Sequence, residues 1–184
     1  MPTMRRPSVT TADQLLELHD PPWRHELVRG ELRTMSPAGH WHGDVCSVLD
    51  RLLSTYVHEN KLGKVYVNDT GFVLARKPDT VLAPDLAFVR RGRLPKTRNG
   101  FFVGPPDLAI EVRSPGDSRR SVREKAQEWL AHGTSCVWIV DPRKQMVTIM
   151  EPLRDARELA GDDELTGGAL VPGFAVSLRT IFAD

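Results

Sequence analysis

Five residues with an acid among them, a polar break, a helical stretch and a second apolar run constrain this chain more than any other segment. Leu108-Ala109-Ile110-Glu111-Val112 reads as a buried strand, and Ser114-Pro115-Gly116-Asp117 breaks it. A helix follows over 118–131, with Lys125 in its middle, and Gly133 closes it. Val137-Trp138-Ile139-Val140 is then a central strand. A strand–helix–strand crossover makes its two strands parallel, so the sheet holds at least one parallel pair in an otherwise mixed order.

The remaining elements fit around that unit. A short helix over 11–18, capped by Thr10 or Thr11, stops at Pro21-Pro22. Alternation on both sides of Gly30, from His25 to Met35, predicts a hairpin, and Ser36-Pro37-Ala38-Gly39 a turn. A long helix over 40–60 carries the stripe Val45, Val48, Leu49, Leu52, Leu53 and Tyr56, with Gly63 ending it. Short strands are expected at 65–67, 72–74, 86–89, 146–150 and 174–176, before a last short helix to Phe182. This order predicts an α/β fold (α+β mixed): a central curved mixed β-sheet flanked by helices, with an N-terminal helix and hairpin. Residues 1–184 are read as one domain, with 1–10 a flexible N-terminus.

Composition excludes several classes. At 184 residues, 40% hydrophobic and 27% charged, the chain suits one cored soluble domain. Its apolar runs are far short of the roughly 20 residues that span a bilayer, so no membrane partner is expected. Arg5 and Arg6 lack a following apolar core, so no secretory signal is expected either. Cys46 and Cys136 show no metal-ligand spacing and read as reduced core residues of a cytoplasmic protein. A net charge of +1 gives no global field for nucleic acid. Local charge is less even. Arg90, Arg91, Arg93, Lys96 and Arg98 form a basic loop, read as a solvated connector, and Arg119, Arg120 and Arg123 precede Lys125.

Asp85, in Ala83-Pro84-Asp85-Leu86-Ala87, and Glu111 are acids within apolar runs, which is costly unless they are paired or bind a metal. If their strands are adjacent, they form half of an oxygen cage suited to magnesium, with the Val112 backbone carbonyl as a further ligand. Lys125 would stabilise charge at a scissile phosphate. The competing reading has the acids bonding loop amides or arginines and Lys125 solvated on its helix. Asp107 is assigned to turn and strand-start duty, and Trp129 and Trp138 to packing.

Several words, in order, carry a resemblance to a known family. They are His25-Glu26-Leu27-Val28-Arg29-Gly30-Glu31-Leu32, Met35-Ser36-Pro37 and a histidine opening the long helix, then the Asp85 word. Pro105-Pro106-Asp107 running through Glu111 to Arg113-Ser114-Pro115 follows, and then Val137 through Asp141-Pro142. From about Thr11 to Phe182 the chain resembles the Uma2 family of restriction-endonuclease-like proteins, a branch of the PD-(D/E)XK nucleases. The resemblance implies Asp85 and Glu111 as the two site acids. It implies Lys125 as a lysine migrated onto the next helix, with Arg113 in its usual place. Glu26 matches an N-terminal acid that could approach the site, or is a surface or capping acid. His42 fits the helix-opening histidine better than His40, either positioning water or phosphate or packing at the helix start. Three departures stand out: Ser121 in place of an aspartate, Trp129 in place of a tyrosine, and His25 in place of an aromatic residue.

Carried over as expectations, this gives an endonuclease hydrolysing DNA phosphodiester bonds with Mg2+, or Mn2+ as substitute. The catalytic set would be Asp85, Glu111, Lys125, Glu26 and His42, and the metal ligands Asp85, Glu111 and Val112. A homodimer is expected, because cutting a duplex needs two sites related by a two-fold. The alternatives are a non-catalytic nucleic-acid or protein-binding module on the same fold and a structural protein whose acids cap loops.

Overall fold

A computed structural model describes residues 9–18, 24–67, 70–97 and 99–183. Helix α1 (Ala12–Leu16) starts with a capping box: the Thr11 hydroxyl accepts the Gln14 N–H while the Gln14 side chain accepts the Thr11 N–H. The Pro21-Pro22 stop lies outside the described residues. So do residues 1–8 of the expected flexible terminus, but Val9 is buried against Leu15, Leu27 and Val81. Strands β1 (Arg24–Val28) and β2 (Glu31–Met35) form the predicted hairpin. Its two-residue turn, Arg29-Gly30, has φ of 52° and 77°, the left-handed pair that matches strand twist.

Helix α2 (His40–Glu59) buries His42, Val45, Leu49, Leu53 and Val57. Val57 belongs to the stripe, whereas Val48 is only half-buried. Gly63 does not end this helix. It opens β3 (Gly63–Val67), where a Cβ would collide with the Val89 carbonyl of the neighbouring strand. The chain continues through β4 (Phe72–Ala75), β5 (Thr80–Leu82), β6 (Leu86–Arg90), β7 (Phe102–Val103) and β8 (Leu108–Val112). Then come α3 (Arg119–Ala131), β9 (Cys136–Asp141), β10 (Met146–Met150), β11 (Arg157–Ala160), β12 (Glu164–Thr166), β13 (Ala175–Ser177) and α4 (Leu178–Ile181).

The central sheet has six strands in the order β11-β10-β9-β8-β6-β3, and β8–β9 is its parallel pair, as the crossover requires. A second sheet, β2-β1-β5-β4-β7, was not anticipated as a separate layer. The short strands β5 and β7, with three and two residues, give too little periodicity to read from sequence. Strands β3 and β4, neighbours in the chain, fall in different sheets.

Pleating divides the central sheet into two faces. Ile110, Val112, Leu86, Phe88, Trp138 and Val140 pack with α2 and the C-terminal elements. On the other face Ala87, Ala109 and Val137 meet Ala126 and Trp129 of α3 together with Val28, Phe72 and Phe102 of the second sheet. Small alanines there leave room for a fully buried indole.

Candidate active site

Asp85 lies where the chain leaves the second sheet at Leu82 and enters the central one at Leu86. The antiparallel register Leu86↔Ile110, continued by one residue, sets Asp85 opposite Glu111. Asp85 itself is a bend residue just outside that ladder, and its charge acts on Glu111 across the step. Asp85 Oδ2 accepts the Val112 N–H at 2.7 Å, which ties the start of β6 to the end of β8. Glu111, on the α3 face, is 6% exposed.

The α3 helix supplies the counter-charge. Lys125 and Trp129 stand four residues apart, hence on one helix face. The Lys125 ammonium reaches Glu26 Oε1 at 2.8 Å, Glu111 Oε2 at 3.0 Å and the Ala83 carbonyl at 2.9 Å. Its three donors are thereby used. Trp129 Nε1 donates to the other Glu111 oxygen at 2.7 Å, and Glu26 Oε1 also accepts the Ala83 N–H at 2.9 Å. Four segments distant in sequence are joined by one lysine.

A second cluster surrounds the far side of Asp85. His42 Nε2 lies 3.2 Å and Arg24 Nη2 3.4 Å from Asp85 Oδ1, and Ser114 Oγ sits 3.3 Å from His42 Nδ1. A cleft of about 410 Å3 opens here, lined by Arg24, His42, Cys46, Asp50, Val67 and Asp85 among others.

Electrostatics separate the three acids. Burial, reinforced by the charges of Asp85 and Glu26, pushes the Glu111 carboxyl up to about 7, against the pull of Lys125 and the Trp129 hydrogen bond. Burial also opposes ionisation of Asp85. The hydrogen bond and charge of His42, the charge of Lys125 and the Val112 N–H outweigh it and hold Asp85 below the usual carboxylate range. The His42 ring is raised despite burial, by the bond and charge of Asp85 and by the Val112 backbone. Lys125 is raised above an ordinary lysine, because Glu111, Glu26 and Asp85 together outweigh its burial. Three acids thus share the pocket with the Lys125 ammonium, the Arg24 guanidinium and the His42 ring.

Each residue singled out from sequence can now be located. Glu26, Asp85, Glu111 and Lys125 converge, and His42 joins through Asp85, whereas His40 is exposed on the first turn of α2. Arg113 points elsewhere, to Asp141 at 2.8 Å and to the Asp117 carbonyl. Asp107 is a structural acid held by Arg90 at 2.7 Å and Arg93 at 3.0 Å. The basic loop is therefore partly a clasp rather than only a solvated connector. Ser121 serves the helix start, with its N–H donating to Ser118 Oγ.

Four partners were not assigned to the site from sequence: Arg24, Ser114, Cys46 and Trp129. Trp129 was signalled by its spacing from Lys125. Cys46, read as lacking metal-ligand spacing, in fact follows His42 by one helical turn, and its thiol lies near Asp85. Burial and the Asp85 charge push that thiol up. Arg24 had no local signal, because its contact depends on where the hairpin docks.

Among known proteins, the family Uma2, described as "putative restriction endonuclease", matches residues 12–179. A crystal structure of "a putative nuclease belonging to DUF820" from Anabaena variabilis superposes with a TM-score of 0.82 at 21% identity. The match covers 94% of this chain and 97% of that one, and the shared fold is restriction-endonuclease-like. No curated protein sequence matches the chain. Among the described residues no helix is long and apolar enough to cross a membrane.

Proposed function

We propose that this chain, which belongs to the Uma2 family, is a divalent-metal-dependent endonuclease that hydrolyses DNA phosphodiester bonds. The family description and the fold support a nuclease-like activity. The observation that carries the metal-dependent form is the Lys125 ammonium between Glu26 and Glu111, with Asp85 adding a third negative charge. The reading takes residues 1–184 as one domain acting as a cytoplasmic homodimer, so that two sites meet the two strands of a duplex.

The donor set fits Mg2+, with Mn2+ as substitute: carboxylates of Asp85 and Glu111 and the carbonyl of Val112 are all hard oxygens. When bound, such an ion lowers the pKa of a water and neutralises charge on the phosphate. The protein's own groups do the rest. Asp85 is ionised at neutral pH and ready to bind. Glu111 must lose a proton near pH 7 to do so. Trp129 fixes one Glu111 oxygen and Lys125 the other, so the carboxylate plane is set before substrate arrives. Lys125 carries a permanent positive charge beside the position of the scissile phosphate, where it stabilises developing negative charge. Glu26 holds Lys125 in place, and His42 orients Asp85 and faces the cleft through which water or phosphate enters.

The test is calorimetric titration with Mn2+ and Mg2+ followed by plasmid nicking, for wild type and Asp85→Ala. Loss of both binding and nicking in the variant is expected. Unchanged binding would remove Asp85 from the site, and metal binding without any nicking would favour a binding module.

A further inference from the structure

A different set of donors shares Asp85. His42 and Cys46 stand four residues apart on α2, one above the other on a single helix face. The imidazole, the Cys46 sulfur and an Asp85 oxygen each offer one ligand atom, and these atoms lie within 4.8 Å of one another. Magnesium has little use for nitrogen and sulfur. An imidazole, a thiolate and a carboxylate together suit a borderline-soft ion such as Zn2+. We infer that His42, Cys46 and Asp85 form a separate transition-metal site, and that filling it takes Asp85 away from the magnesium ligands.

Geometry supports this beyond proximity. Two ligands roughly 2.0–2.1 Å from a tetrahedral zinc sit about 3.3 Å apart. His42 Nε2 and Asp85 Oδ1 are 3.2 Å apart. Ser114 Oγ faces His42 Nδ1 at 3.3 Å, the outer hydrogen bond that fixes which ring nitrogen ligates. The cleft beside Cys46 has room for a water as fourth ligand. Arg24, 3.4 Å from the same Asp85 oxygen, is the cation that the metal displaces. Without an ion the thiol is protonated, so a metal–sulfur bond forms as one proton leaves to solvent, driven by the charge of the ion. The donor set stands independently of the nuclease reading, and only the competition with magnesium rests on it.

Cobalt(II) is the probe, because thiolate ligation gives it a near-ultraviolet charge-transfer band that oxygen and nitrogen ligands do not. One equivalent added to the reduced protein should produce the band, and Zn2+ should abolish it. Cys46→Ser and Cys46→Ala should both lose the band and bind Zn2+ at least about a hundredfold more weakly. Cys136→Ser and Glu111→Gln should keep it. Absence of the band in wild type, or its survival in both Cys46 variants, would overturn the site. In a Mg2+-driven nicking assay, the Zn2+ concentration that halves each protein's own rate should be at least about tenfold lower for wild type than for Cys46→Ser. Equal values would overturn the competition. If wild type nicks nothing, the nuclease reading fails while the cobalt band still decides the site.

Discussion

Asp107 and Glu111 are four residues apart, one just before β8 and the other within it, and they are 1% and 6% exposed. Their fates diverge. Asp107 faces two guanidinium groups, Arg90 and Arg93, and accepts the Arg90 N–H at 2.9 Å, so its carboxyl is held below the ordinary value despite burial. Glu111 shares one ammonium with two other acids and rises to about 7. One acid is over-neutralised and closes a loop, while the other is under-neutralised at the end of a sheet. Burial of an acid therefore says little about its role. The ratio of counter-charges to acids around it says much more.

The contrast fails if exchanging the two acids for amides has similar consequences. Glu111→Gln should abolish calorimetric Mn2+ binding and leave no measurable plasmid nicking, whereas Asp107→Asn should leave the binding isotherm intact. Next in size is Lys125→Met, which should cut the nicking rate by about 10²–10³-fold. It must be assayed well above pH 7, because losing Lys125 pushes Glu111 higher still and would otherwise mask the effect as lost metal affinity. Trp129→Phe keeps the packing but removes the donor to Glu111, so metal affinity should fall by about 10–100-fold at neutral pH. Asp107→Asn should lower stability by about 1–2 kcal/mol in urea unfolding, a modest cost because both arginines reach solvent.

Acid titration sharpens the same distinction. If Glu111 ligates the proposed ion it does so as a carboxylate, so metal affinity should fall as pH drops through about 7 and proton release on binding should be largest on the acid side. In the metal-free protein Glu111 takes up a proton on folding. Its contribution to stability is complete below the ordinary 4.5 and is lost as pH rises through about 7. Asp107 behaves oppositely: its contribution is present above the ordinary 3.8 and is lost only as pH falls through its lower folded value. Urea midpoints of wild type and the two amide variants across pH 3–8 would reveal both signs.

Much of this was readable from the chain because it is local. The crossover around Glu111 implied the β8–β9 pair, whereas the helix alone left Lys125 open to a solvated reading and the family resemblance singled it out. What escaped depends on distance in sequence. Arg24 reaches Asp85 only because the hairpin's sheet docks beside β6, and no periodicity around residue 24 encodes that docking. Trp129 was read as packing, and it does pack, but its polar edge also serves the acid. A side chain with an apolar body and one donor can do both at once.

Trp129 has an optical consequence. It is an indole fluorophore buried among apolar groups, with its single N–H bonded to a carboxylate oxygen. Drawing electron density out of that carboxylate would alter the excited state of the ring. Emission from this residue could thus report occupancy of the acid pair without any label.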